Sequence, residues 1–229
     1  MAQVVIKRRY TDLSHYTEIE SAALAAKRVQ LRNSFGKYVD QAALLCNVPA
    51  FVIEAVILIE NGQTLNPNFI NGSGAVGLMQ IKNDTATDVL IIENKKGRLT
   101  GTERNVLRRI GVDVSRLMGN APKLNKQGKP QKWYSSAEGL LVSNDQLKNP
   151  ELNVLIGTIY LSQLIDEFTE LTGLVRMDKV IVKYNQGLYA KLPVASFTTD
   201  SLLKNLKSSE AKAYVLKMSG KYGMLEALA

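Results

Sequence analysis

One cysteine and one histidine are all that this 229-residue chain holds of those two types, and most nucleophilic chemistry is thereby excluded. Cys46 alone permits no internal disulfide and no thiolate metal cluster, and within its apolar stretch it reads as a core residue. A Ser-His-Asp or Cys-His arrangement would have to use His15, close to the N-terminus. Carboxylates remain as the acid–base groups, and neither a metal nor a cofactor is expected. No apolar run is long enough to span a bilayer, so no membrane span is expected. The opening MAQVVIKRRYTDLSHY has no apolar stretch and no small-residue cleavage site of a secretory signal. Strand signal is scarce outside the region near Gln80. The periodicity predicts a mainly α-helical fold over residues 17–229, a single domain, after a tail over 1–16 that looks extended or disordered.

The chain is organised around Pro49 to Gln80. Pro49 suits a helix start and Gly62 a stop, and from Phe51 to Ile59 every residue but Glu54 is apolar. Such a helix belongs inside a core. Glu60 sits at its last turn, where desolvation and the negative end of the helix dipole both favour the protonated acid. A polar, glycine-rich loop follows, Asn61 to Gly74. A carboxylic acid facing such a loop is what general acid catalysis in a groove needs; an ordinary capping or solvated glutamate is the alternative.

Before this stretch, Thr17 to Asn47 reads as two helices with a break at Ser34-Phe35-Gly36. After it, a helix to about Ile92 is expected, capped by Asn83 or Asp84. Asn149 and Pro150 start a long helix to about Leu171, and shorter helices carry Tyr184 and Tyr214. Asn94 to Trp133 differs in kind. It holds eleven Lys and Arg against Glu103 and Asp113, which exceeds the net +8 of the whole chain. It reads either as a solvated insertion or as a basic rim attracting a polyanion.

In this order the residues resemble the lytic transglycosylase family with the soluble-transglycosylase, lysozyme-like domain. The resemblance rests on Glu60, Asn66-Pro67, Gly74-Ala75-Val76-Gly77-Leu78-Met79-Gln80 and Thr85-Ala86. It continues with Asn153, Gly157 and Tyr160-Leu161, then Tyr184-Asn185 with Gly187, and closes on Glu210 with Tyr214-Val215. Asn61 and Asn71 stand where the family has serines, Lys82 replaces an apolar residue, and Lys183 stands where Ala is common.

The resemblance implies a lysozyme-like α+β fold, mainly α, with a small β-ribbon beside the active-site groove. It implies a lyase that cuts the N-acetylmuramic acid–N-acetylglucosamine bond of peptidoglycan without water, leaving 1,6-anhydro ends. Glu60 would be the single general acid and base, and Asn71, Gln80, Tyr184 and Asn185 the substrate-binding residues. Asn71 can hydrogen-bond Glu60 or an acetamido group, Met79 and Tyr160 pack beneath the groove, and Trp133 and Tyr134 either stack on sugar or belong to the core. Hydrolysis needs a second carboxylate, and Asp84 is the one nearby candidate, though a helix cap suits it better. A hydrolytic muramidase and a non-catalytic wall- or nucleic-acid-binding protein are the competing readings. The expected partners are glycan strands, with virion proteins or DNA on the basic segment 94–133. Without a visible signal, a bacteriophage virion component, or release to the periplasm and cell wall, is the expected setting.

Overall fold

The structure, a computed structural model, describes residues 4–118, 139–188, 190–193 and 196–229. In chain order its elements are β1 (Val5–Ile6), α1 (Glu18–Ala26), α2 (Arg28–Cys46), α3 (Ala50–Asn61), α4 (Asn83–Lys95), α5 (Gly101–Arg109) and a 3-10 turn, Val114–Met118. Then come α6 (Asn144–Leu147), α7 (Pro150–Glu167), β2 (Leu174–Val175), α8 (Met177–Gln186), α9 (Thr199–Asn205), α10 (Ser209–Ser219) and α11 (Met224–Ala227). The mainly helical fold is as expected. The small β-ribbon is present too, as antiparallel bridges Ile70–Val76 and Val76–Ile81 beside the groove.

Helix α3 is the core helix that its composition predicts. Val52 through Leu58 are all buried. Glu54, fully buried, is matched by Arg28 (2.7 Å) and Arg32 (3.1 Å), so its charge is paired where an isolated one would be prohibitive. Pro49 precedes the first turn, and the Gly62 N–H closes the helix onto the Leu58 carbonyl. Against α3 pack α2, α10 and α11, while α7 packs on α2, α4 and α8. Helix α7 is buried almost all round from Leu152 to Ile165 and starts where Asn149 caps the N–H groups of Glu151 and Leu152. It ends at Glu167, short of Leu171, because the chain turns through Thr169 to pair with Val175.

The break expected at Gly36 does not occur. Helix α2 runs unbroken, and the step between helices falls at Lys27. The Arg32 side chain lies along the helix over Gly36, where an added Cβ would come within 3.3 Å of its Nε. From there it makes a bidentate pair with Asp40 (2.7 and 2.9 Å), and the glycine serves to admit this lateral contact.

Residues 4–16, expected as a tail, are largely extended and lie against the body. β1 pairs in parallel with β2, the Tyr10 N–H donates to the Ser219 carbonyl (2.8 Å), and Ser14 bridges Lys221.

In the basic segment α5 and the 3-10 turn are separated at Gly111, and Val106, Leu107 and Leu117 are buried. Three of its arginines are tied to the fold: Arg98 to Glu93 (2.9 Å) and Asp166, Arg104 to Asn94, and Arg109 to Glu151. Lys123, Lys126, Lys129, Lys132, Trp133 and Tyr134 lie outside the described residues. Among the described residues no helix is long and apolar enough to cross a membrane.

Candidate active site

Two buried asparagines hold the loop after α3, which is too irregular to be held by a sheet. Asn61 satisfies four groups: its amide donates to the carbonyls of Asn66 (2.7 Å) and Gly77 (3.0 Å), and its oxygen accepts from Thr64 Oγ1 (2.7 Å) and the Asn66 N–H (3.1 Å). Asn153, fully buried on α7, accepts from the Met79 N–H (2.8 Å) and donates to the Val76 carbonyl (2.9 Å). Gly77, at φ 81°, lies so close that an added Cβ would stand 2.4 Å from the Asn153 amide. One turn along α7, Gly157 makes room for Met79, whose Sδ would lie 2.5 Å from a Cβ there. The Asn-x-x-x-Gly spacing is thus one helix face shaped to receive the Gly77–Met79 backbone.

That scaffold brings Glu60, Asn71, Gln80, Tyr184 and Asn185, the site residues that the resemblance implies, to one cavity of about 310 Å³. Glu60, partly buried, accepts a hydrogen bond from the Tyr214 hydroxyl on α10. Burial pushes its carboxyl up to about 7, against the opposing effects of the Tyr214 hydroxyl and the Lys217 charge. Such a group is poised to give and take a proton near neutrality.

Gln80 sits at φ 47°, a conformation uncommon for a side-chain-bearing residue. Its amide donates to the Gly77 carbonyl (2.7 Å), while its buried Oε1 has no partner among the described residues. The cavity therefore offers an acceptor for a ligand N–H or O–H. The Tyr184 hydroxyl donates to the Met79 carbonyl (2.8 Å), and its ring stacks on Tyr160 with centroids 5.1 Å apart. Met79 is fully buried and Tyr160 nearly so, both packing beneath the groove, with Tyr160 also reaching its wall.

Asn71 does not hydrogen-bond Glu60. Its oxygen accepts from the Ser73 N–H (2.9 Å), Ser73 Oγ (2.8 Å) and the Ala75 N–H (3.0 Å), so it shapes the loop tip, and Tyr214 supplies the hydrogen bond to Glu60. Asp84 does not line this cavity. It accepts from the Thr85 N–H within the first turn of α4, whose capping position is Lys82. The further carboxylate in the cavity is Glu210, exposed at the start of α10 and bonded to the Asn185 amide (3.3 Å). Tyr214 and Glu210 were visible in sequence only as part of the closing Glu-x-x-x-Tyr-Val pattern, which says nothing of where that helix packs.

A family profile described as the Transglycosylase SLT domain matches residues 37–108 and 125–198. The endo-type membrane-bound lytic murein transglycosylase A of Citrobacter koseri is 30% identical over 179 residues, 76% of this chain and 66% of that one. The enzyme of the same description from Klebsiella pneumoniae is 29% identical, over the same shares. This chain therefore spans slightly less than two thirds of the curated relatives' length. Among solved structures, an inactive glutamate-to-glutamine mutant of the lytic transglycosylase Slt from Pseudomonas aeruginosa aligns with a TM-score of 0.46 and 18% identity, covering 89% of this chain and 29% of that one. With the profile matched on both sides of a gap within the basic segment, over well more than half the chain's length, the chain belongs to the Transglycosylase SLT domain family.

Proposed function

We propose that the chain is a peptidoglycan lytic transglycosylase that cleaves the N-acetylmuramic acid–N-acetylglucosamine bond without water and leaves 1,6-anhydro ends. The observation that carries this reading is Glu60, a carboxyl with its affinity for protons raised to about 7, set in the cavity with Gln80 and Tyr184. Protonated, it gives its proton to the glycosidic oxygen as that bond breaks. As carboxylate it then takes the proton of the muramoyl O6 hydroxyl while O6 closes on C1 of the same sugar, so the acid is regenerated without a second group. Gln80 Oε1 and the Tyr184 ring would hold the sugar, Asn185 would contact it at the rim, and Asn71 would shape the loop beside it.

Hydrolysis of the same bond is the second reading, favoured by one observation, the presence of Glu210 in the cavity. The two separate by products. Sacculi digested with the protein are expected to release muropeptides with anhydro ends, read by chromatography and mass. Glu210→Gln is expected to keep that product. Reducing muramic acid ends that vanish in Glu210→Gln would make the protein a muramidase with Glu210 as its base.

The raised carboxyl also sets a pH limb. The first step needs the protonated form, so kcat/KM is expected to be flat in acid and to fall as pH rises through about 7. In Tyr214→Phe a hydrogen bond that favours the carboxylate is gone, so this limb should move to higher pH. A merely structural loss would lower the rate and leave the limb in place.

A further inference from the structure

Glu60 borders a second cavity as well. On its other side, toward α1, lies a space of about 650 Å³ reached by Lys27, Lys217, His15, Leu24, Leu58 and Phe69. The catalytic carboxyl therefore stands at a junction, with Gln80 and Tyr184 on one side and this larger space on the other. The loop that ends in Gln80 also supplies Phe69 to the second cavity, as an exposed ring against which a sugar face can lie.

Two ammonium groups line this cavity. Lys217 is half-buried, three residues past Tyr214 on α10 and so on the same helix face. Its charge is felt by both Glu60 and His15, and no carboxylate lies within salt-bridge distance of its ammonium among the described residues. Lys27 donates to the Gln63 carbonyl (2.8 Å), which leaves two of its three N–H groups without a partner among the described residues. Of the two acids that line it, Glu60 is the catalytic carboxyl itself, and Glu20 at the rim accepts from the N–H (2.8 Å) and hydroxyl (2.9 Å) of Thr17 through its Oε2. An apolar wall with two ammonium groups, one of them without a carboxylate in salt-bridge reach among the described residues, fits a sugar bearing a carboxylate.

We propose that this second cavity recognises a carboxylate carried by the glycan on the far side of the scissile bond, with Lys217 as the principal contact and Lys27 as the second. The inference rests on the proposed function. In an alternating glycan the anionic group is either the bare lactyl carboxylate of a peptide-free muramic acid or a carboxylate of its stem peptide. Both present the same chemistry to an ammonium group, a charge-assisted hydrogen bond in a partly dehydrated site.

The test uses the full chain carrying Glu60→Gln, so that nothing is cleaved and no change in the Glu60 charge enters. Three oligosaccharides of equal length are titrated by calorimetry: an alternating glycan without peptides, the same glycan with stem peptides, and an N-acetylglucosamine oligomer with no carboxylate. At least one carboxylate-bearing oligomer is expected to bind roughly tenfold more tightly than the third, as suits a charged hydrogen bond. Which one does so tells the lactyl group from the peptide. Adding Lys217→Gln should remove that advantage and leave the N-acetylglucosamine oligomer unchanged. Equal affinities for all three, or a loss from Lys217→Gln shared by all three, would overturn the proposal. The proposed function fails by a different readout, since it is the active chain that would then leave sacculi uncut or give other ends.

Discussion

Glu60→Gln is expected to abolish turnover and to make the fold more stable, and the two effects have one cause. Glutamine keeps the shape of the carboxyl and can still accept from Tyr214, but it cannot cycle a proton. General acid–base catalysis alone is worth at least about a hundredfold, so release of fragments from sacculi should fall by that factor or more. The stability effect follows from the raised carboxyl. The unfolded chain ionises this group near 4.5 and the folded chain near 7, so between these values the unfolded state sheds its proton first. Folding is thus favoured at low pH, loses ground as pH rises through that window, and has lost it in full above about 7. A shift of this size corresponds to about 3 kcal/mol at most. The glutamine variant escapes that loss and should melt several degrees higher than the parent at pH 8, and no higher near pH 4. Calorimetry at both values checks it. Equal melting at pH 8 would mean that burial does not hold the carboxyl protonated.

Asn153→Ala is expected to be the most damaging single change away from the cavity. The substitution leaves the Met79 N–H and the Val76 carbonyl without partners in a fully buried position. Each orphaned group costs about 1–3 kcal/mol, so a loss of about 2–6 kcal/mol follows before any repacking. For a domain of this size the melting point should drop by roughly 5–25 °C. Activity should fall even where the variant is fully folded, because Gln80 follows Met79 directly and its placement depends on the same backbone. An unchanged melting point would show that the loop is held by something other than this side chain.

What the sequence made legible was local. Helix α3 could be read because it is apolar all round and bounded by Pro49 and Gly62, and Glu60 because it ends that helix before a polar loop. The Gly77–Gln80 block and the Asn153–Gly157 pair were recognised as patterns, though their complementarity appears only once α7 lies against the loop. The parallel pairing of β1 with β2 was not legible, since two residues in each strand are too few for an alternating pattern to register. Gly36 misled for a related reason: glycine signals a break unless a long side chain such as Arg32 uses the space. Tyr214, Glu210 and the second cavity around Lys217 were out of reach because their roles arise from contacts across most of the chain. Of the two partners open to Asn71, Glu60 or an acetamido group, Glu60 is not the one its oxygen meets, since short loops let asparagine satisfy its own neighbours first.

The bond between Tyr214 and Glu60 joins positions 154 residues apart. Contacts of such range form only after the chain between them has been organised, which makes them slow. On a ribosome the helix bearing Glu60 is complete long before α10 has been made. The carboxyl then lacks its hydroxyl partner and, above all, the burial that raises its hold on a proton, and it behaves as an ordinary surface acid. An unfinished or half-folded chain is therefore chemically silent, and the acid is armed in the last stage of folding, when the C-terminal helices close over it.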